Sequence, residues 1–279
     1  MRQLLLLLLC IPLTAGAAEY PPVTVPMTLE KVSEHVYYVQ GASGVATDNQ
    51  GFISNATAII TSEGVVMMDT LGSPSLAERF LGLVREVTDK PVSKVILTHY
   101  HADHIYGLQV FADLGAEIIA PGGFQDYLDA PAALSRLEER RVSLYPWVNE
   151  DTRLVRPDRV ITADTTVAMG DVTLRLSYLG TAHSDGDLTV LVEPDRVLVS
   201  GDIIFEGRVP FTGSADTRHW LGVLEGLVGF DGQHITGFVP RHRNRIGRKV
   251  GGLVRHLGRR LVHRLAEGDD DRCVGADTS

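Results

Sequence analysis

Within six residues, His99-Tyr100-His101-Ala102-Asp103-His104, the chain places three imidazoles and a carboxylate. The strand-like run from Val92 to Leu97 leads into Thr98 just before them. In extended backbone alternate side chains share a face, so His99 and His101 can reach one metal ion together. Asp103 and His104 lie just beyond, where the chain turns into a helix beginning near Ile105, and could meet a second ion. Imidazole nitrogen suits zinc, and carboxylate oxygen completes sites that keep one position open for water. Chance clustering of surface histidines accounts poorly for so tight a spacing.

Other segments carry similar chemistry. Gly180-Thr181-Ala182-His183 puts a histidine in a loop after a strand, and Ser200-Gly201-Asp202 puts an aspartate at the end of another. Val66-Met67-Met68-Asp69 ends an early strand in a carboxylate, and Val239-Pro240-Arg241-His242 adds a late histidine. In this order, over roughly residues 30 to 242, these segments resemble the H-x-H-x-D-H signature and the downstream motifs of the metallo-β-lactamase superfamily. The resemblance implies that His99, His101 and His183 hold a first zinc ion. Asp103, His104 and His242 would hold a second, with Asp202 bridging the two and Asp69 in support. Two such ions can share a water, lower its pKa toward neutrality and deliver hydroxide to a carbonyl or phosphorus. They also stabilise the oxyanion formed on attack. Asp103 is the candidate catalytic carboxylate, orienting the hydroxide or passing a proton to the leaving group. His219, His234, His256 and His263 lack any such context and are read as non-ligands.

Within the resemblance, His101 stands where flavin-linked di-iron relatives have glutamate. Asp202 stands where the β-lactamases proper have Cys or Ser. The pattern is closer to thioesterase-like, lactonase-like and phosphodiesterase-like branches. The stretch from His99 to Phe111, with Tyr38-Val39-Gln40-Gly41 and Gly207-Arg208-Val209-Pro210-Phe211, also looks like exported zinc hydrolases associated with periplasmic quinoprotein and sulfur-oxidation systems. That implies a periplasmic redox system as partner. Tyr145, Trp147 and Phe211 could line a pocket, although aromatics near loops more often pack.

The elements that must position these residues read as two β-rich halves. Residues 35–39, 56–61, 65–69, 92–97 and 116–120 read as strands, with helices over 75–89, 105–114 and 125–143. Ser73 and Ser75 are candidate caps. After Asn149 come strands at 160–161, 166–169, 172–178, 188–193 and 196–200, a helix over 217–227 and a strand at 235–239. This order predicts an α/β fold, a four-layer αββα sandwich forming one domain over residues 18–240.

The ends differ from the body. Met1-Arg2, a leucine-rich run over residues 3–14 and Ala15-Gly16-Ala17 read as an export signal of about 17 residues. The mature protein is then expected to be periplasmic or secreted. Removing that segment takes Cys10 and leaves Cys273 alone, so neither a disulfide nor a Cys-rich zinc site is available. Residues 18–240 carry a net −15, from 15 Lys/Arg against 30 Asp/Glu. Such a body repels nucleic acid and suits a small-molecule substrate. Residues 241–264 hold nine Lys/Arg and no acid. Arg241 and Arg243 flank His242 where the resemblance calls for glycines. Their bulk and charge weaken a second ion there, so the second zinc is in doubt. Two readings of the tail from residue 241 to 279 stay open. One is a shifted reading frame starting near Pro240. The other is an amphipathic basic helix, with Val250, Leu253, Val254, Leu257 and Leu261 at helical spacing, that contacts anionic lipid. The sequence thus points to an exported zinc hydrolase of an ester, thioester, lactone or amide-type bond. A non-catalytic metal-binding accessory protein of a periplasmic redox system is the alternative.

Overall fold

Neighbouring residues of one strand reveal the layers. Val65 and Met67 belong to one buried cluster, Val66 and Met68 to another, because successive side chains of a strand leave opposite faces. The computed structural model describes residues 20–205 and 210–227, and the backbone of 234–238. The segment read as an export signal, Gly207 to Val209, His242 and the basic tail lie outside the described residues.

The first sheet has seven strands in chain order: β1 (Glu30–Lys31), β2 (Val36–Val39), β3 (Ala56–Thr61), β4 (Gly64–Met68), β5 (Val92–Ile96), β6 (Glu117–Pro121) and β7 (Arg159–Ile161). Pairing is antiparallel from β1 to β4 and parallel from β4 to β7. The second sheet comprises β8 (Thr165–Met169), β9 (Val172–Gly180), β10 (Asp187–Glu193), β11 (Val197–Phe205) and β12 (His234–Phe238), in the order β12-β11-β10-β9-β8. The two sheets face each other across Val36, Ile59, Ile96 and Ile119 on one side and Leu174, Leu176, Leu188, Val190 and Val199 on the other.

Helix α1 (Pro74–Arg85) docks on the outer face of the first sheet through Leu76, Phe80, Leu83 and Val84. Each fully buried apolar side chain of this kind stabilises the fold by about 1.5–3 kcal/mol. Its start is set by Ser73, whose Oγ accepts the Leu76 N–H at 3.2 Å, and by Pro74 in the first turn. Helix α6 (Thr217–Leu227) covers the second sheet, placing Trp220 and Leu224 against Ile203 and Phe205. Helix, sheet, sheet and helix are therefore stacked as the sequence predicts.

Two helices differ from expectation. The stretch read as one helix over 125–143 is split into α4 (Phe124–Asp129) and α5 (Pro131–Ser143). Ala130 between them is extended, as the residue before a proline must be. The stretch expected to start near Ile105 is instead α2 (Ala102–Ile105) and α3 (Leu108–Asp113). Its carbonyls are captured by neighbours. Ser54 Oγ donates to Asp103 O, and Thr70 donates its N–H and its hydroxyl to His104 O, both at 2.8 Å. The Gly107 N–H turns away to Leu71 O at 3.2 Å. Asp103 and His104 thus sit in a single helical turn pinned from two sides.

Candidate metal centre

The site is built on a buried carboxylate at the end of β4. Asp69 Oδ1 accepts the Thr98 N–H at 2.7 Å, and Oδ2 accepts the Thr98 hydroxyl at 2.7 Å and His104 Nδ1–H at 2.8 Å. Both Asp69 (φ 59°) and Leu71 (φ 66°) occupy the left-handed region, which non-glycine residues adopt rarely and mostly at functional sites. These bonds fix two tautomers. A Thr98 hydroxyl that gives its proton to Asp69 can only accept from His99 Nδ1, 3.0 Å away. His99 and His104 thus both carry a proton on Nδ1, and each turns its Nε2 toward the centre.

Three nitrogens then converge. His101 Nδ1 lies 3.0 Å from His99 Nε2 and 3.0 Å from His183 Nε2. One proton on His101 could satisfy one of these contacts but not both, whereas a single cation satisfies all three. Nitrogens bound tetrahedrally at zinc distances stand roughly 3.3 Å apart, close to what is found. The three imidazoles therefore fit a divalent ion, and their atoms lie within 4.8 Å of one another.

Asp202 joins this group to a second one. It lies within β11, which runs on to Phe205 rather than ending near Ser200. The register shifts around Gly201. Gly201 has φ 51°, and a Cβ there would lie 2.6 Å from Thr98 Oγ1, so only glycine permits the approach. The kink aims Asp202 Oδ1 at His104 Nε2 (3.3 Å) and Oδ2 at His183 Nε2 (3.6 Å). Asp103 Oδ2 reaches to 3.6 Å from the same His104 nitrogen and is the more solvent-exposed of the two carboxylates. The buried His104 Nε2 faces the Asp202 and Asp103 carboxylates, the donor set an ion held there would share. His99, His104 and Asp202 also fall within 4.8 Å of one another, so His99 stands between both groups. His242, the remaining candidate, lies outside the described residues.

Electrostatics separate the histidines. Burial holds His99 well below its usual range, with His104, His101 and His183 adding repulsion. Burial takes His183 down to about 3 against the pull of Asp202. Burial also opposes charge on His104, but Asp202, Asp103 and Asp69 together outweigh it and raise that group well above its ordinary value. An ion at the three imidazoles therefore meets His99 and His183 already neutral. An ion at His104 must displace a proton, which lowers its affinity about tenfold per pH unit of acidification below the His104 pKa. Dialysis from pH 8 to pH 5 is expected to strip the His104 and Asp202 ion first and to leave the three-imidazole ion in place. Simultaneous loss of all metal would contradict this order.

Some contributors escaped the sequence reading. Tyr100, between His99 and His101, is buried in the core cluster that also holds Phe124 and Leu137. Its hydroxyl lies 2.7 Å from Asp185 and 3.0 Å from Ser214, and its ring stacks on Tyr127. Of the aromatics read as possible pocket walls, Phe211 packs edge-on against His101 at 5.6 Å. Trp147 instead donates to Pro22 O, and Tyr145 is exposed. His219 places Nε2 2.8 Å from Leu179 O.

The chain is similar to known proteins. A 26% identical stretch of 220 residues, 77% of this chain and 78% of the relative, is shared with a metallo-β-lactamase type 2 of Elizabethkingia meningoseptica. An alkyl/aryl-sulfatase of Saccharomyces cerevisiae is 34% identical over 124 residues, which span 42% of this chain but 18% of that protein. A stereoselective inverting sec-alkylsulfatase from a Pseudomonas species superposes with a TM-score of 0.65 at 18% identity, over 87% of this chain and 44% of the other. The sequence model described as the metallo-beta-lactamase superfamily matches residues 49–235. That span contains Asp69, the His99–His104 segment, His183 and Asp202, and the chain belongs to the metallo-β-lactamase superfamily.

Proposed function

We propose that this chain is an exported zinc-dependent hydrolase of a small-molecule substrate, cleaving an ester, thioester, lactone or amide-type bond. The observation that carries the reading is Asp202, which offers one oxygen to each of two ligand groups only a side chain apart. His99, His101 and His183 would hold one ion, and His104, Asp103 and Asp202 the other, with His242 as a further ligand. When bound, such ions acidify a shared water and polarise the bond to be cleaved. The chain's own residues do the rest. Asp69 and Thr98 hold the ring orientations of His104 and His99. Asp103, open to solvent on one side, accepts a proton from the attacking water and returns it to the leaving group. Phe211 shields His101 on one face.

The relatives named for β-lactam and alkyl-sulfate substrates widen the range to be tested. Asp202, where the resemblance places Cys or Ser in β-lactamases proper, argues for the other bond types. A matched panel of thioesters, lactones, carboxylic esters, phosphodiesters, alkyl sulfates and a chromogenic β-lactam decides between them. Turnover is expected in one of the first three classes and is expected to be lost on chelation. Turnover of the phosphodiester or the alkyl sulfate alone would overturn the substrate assignment, and turnover of the β-lactam alone, an amide-type substrate, would overturn the argument from Asp202.

The likeness to exported zinc hydrolases supports a periplasmic location and a redox system as partner. Arg241 and Arg243 beside His242 favour a second reading, a non-catalytic metal-binding accessory protein in such a system. No turnover on any class by a metal-loaded protein would select it. No helix among the described residues is long and apolar enough to cross a membrane. The basic tail remains a proposed membrane contact, and deletion of residues 241–279 should abolish any binding to anionic vesicles.

A further inference from the structure

The loop that carries His183 closes around a buried carboxylate that belongs to neither ligand group. Asp187 begins β10. Its Oδ2 accepts the backbone N–H of Ala182 at 3.1 Å and that of Ser184 at 2.8 Å, the two residues on either side of His183. Its Oδ1 accepts the Ser184 hydroxyl at 3.1 Å. The next residue, Leu188, donates its N–H to Thr98 O at 2.9 Å, which ties this loop to the segment that orients His99. There is no slack on the far side, because a Cβ on Gly186 would come within 1.5 Å of Gly122 O. The Ala182 N–H is shared with Ser184 O at 3.0 Å, whereas the Ser184 N–H has Asp187 as its acceptor; a buried amide left without one is costly, so the loop keeps the conformation in which Ser184 reaches Asp187.

We propose that Asp187 is the positioning residue for His183: by gripping the amides on both sides it sets the direction in which Nε2 leaves the loop, and so the affinity of the three-imidazole group for its ion. The inference rests on His183 being a ligand. Burial pushes the Asp187 carboxyl up to about 7 against the hydrogen bonds from Ser184 and Ala182. Asparagine in its place keeps an oxygen for the amides and has no charge to bury.

The test titrates zinc and cobalt(II) into metal-free wild-type, Asp187→Ala, Asp187→Leu, Asp187→Asn and His183→Ala proteins against a competing chelator. The cobalt absorption spectrum and thermal melts are recorded alongside. Loss of a supporting partner typically weakens a metal site by about 10–100-fold, and that loss is expected for Asp187→Ala and Asp187→Leu, with an altered cobalt spectrum. Asp187→Asn is expected to restore both. A merely structural carboxylate would lower the melting temperature and leave affinity and spectrum unchanged, which overturns the proposal. Failure of both Asp187→Ala and Asp187→Leu to fold would likewise assign the carboxylate to folding and overturn it. Wild-type affinity in His183→Ala would instead overturn the ligand reading, a result distinct from a silent Asp187→Ala beside a metal-deficient His183→Ala.

Discussion

Asp202→Asn is expected to lower kcat/KM by at least about 10³-fold, equivalent to about 4 kcal/mol of transition-state stabilisation. The reasoning is geometric before it is electrostatic. Asp202 places Oδ1 3.3 Å from His104 and Oδ2 3.6 Å from His183, so both oxygens are in use. Asparagine has the same shape but one oxygen, and its amide N–H groups would face a cation on the other side. Burial by itself would raise the Asp202 carboxyl, yet His104, His183 and His101 hold it well below the usual carboxylate range. The site is therefore arranged to keep a negative charge between two positive centres, and asparagine supplies none. Metal analysis of the variant should show the His104 ion depleted while the three-imidazole ion is retained. A variant with full activity and full metal content would remove Asp202 from the mechanism.

Asp69→Ala is expected to act on stability and metal together. It removes the acceptor of the Thr98 amide, the Thr98 hydroxyl and His104 Nδ1–H, all at 2.7–2.8 Å in a buried setting. Orphaned buried donors cost about 1–3 kcal/mol each and do not add fully, so a loss of about 3 kcal/mol in chemical denaturation is expected. Freed of Asp69, the His104 ring can rotate or change tautomer, and metal affinity should fall about 10–100-fold. Asp69→Asn should fall between, since its NH2 must meet one of the three donors. Wild-type metal affinity in Asp69→Ala would show that His104 needs no such support.

The same residues explain what could be read from sequence. The spacing of His99 and His101, alternate residues that extended backbone places on one face, is a local property and was legible from sequence alone. The layered fold was legible because strands such as Val65-Val66-Met67-Met68 carry apolar residues on both faces, which only a sheet buried on both sides can use. The break between α4 and α5 was available in Pro131 and overlooked. The break between α2 and α3 was not available. It depends on Ser54 and Thr70, 49 and 34 residues from the carbonyls they capture. The close approach at Gly201 likewise depends on Thr98, about a hundred residues away in the loop after β5. The grip of Asp187 on the His183 loop sits in a short stretch, Ala182 to Asp187, of which the sequence shows only a loop after a strand. Long-range contacts of this kind position the ligands, and periodicity does not encode them.

The most direct test of the whole account measures metal content and hydrolysis on one preparation of the protein beside His101→Ala. His101 Nδ1 stands 3.0 Å from both His99 Nε2 and His183 Nε2, so its removal takes one of the three nitrogens from the three-imidazole group. Bound divalent metal and turnover are expected in the wild type, with the three-imidazole ion and the turnover lost together in the variant. Turnover that persists in His101→Ala, or in a wild-type protein freed of metal, would contradict the account.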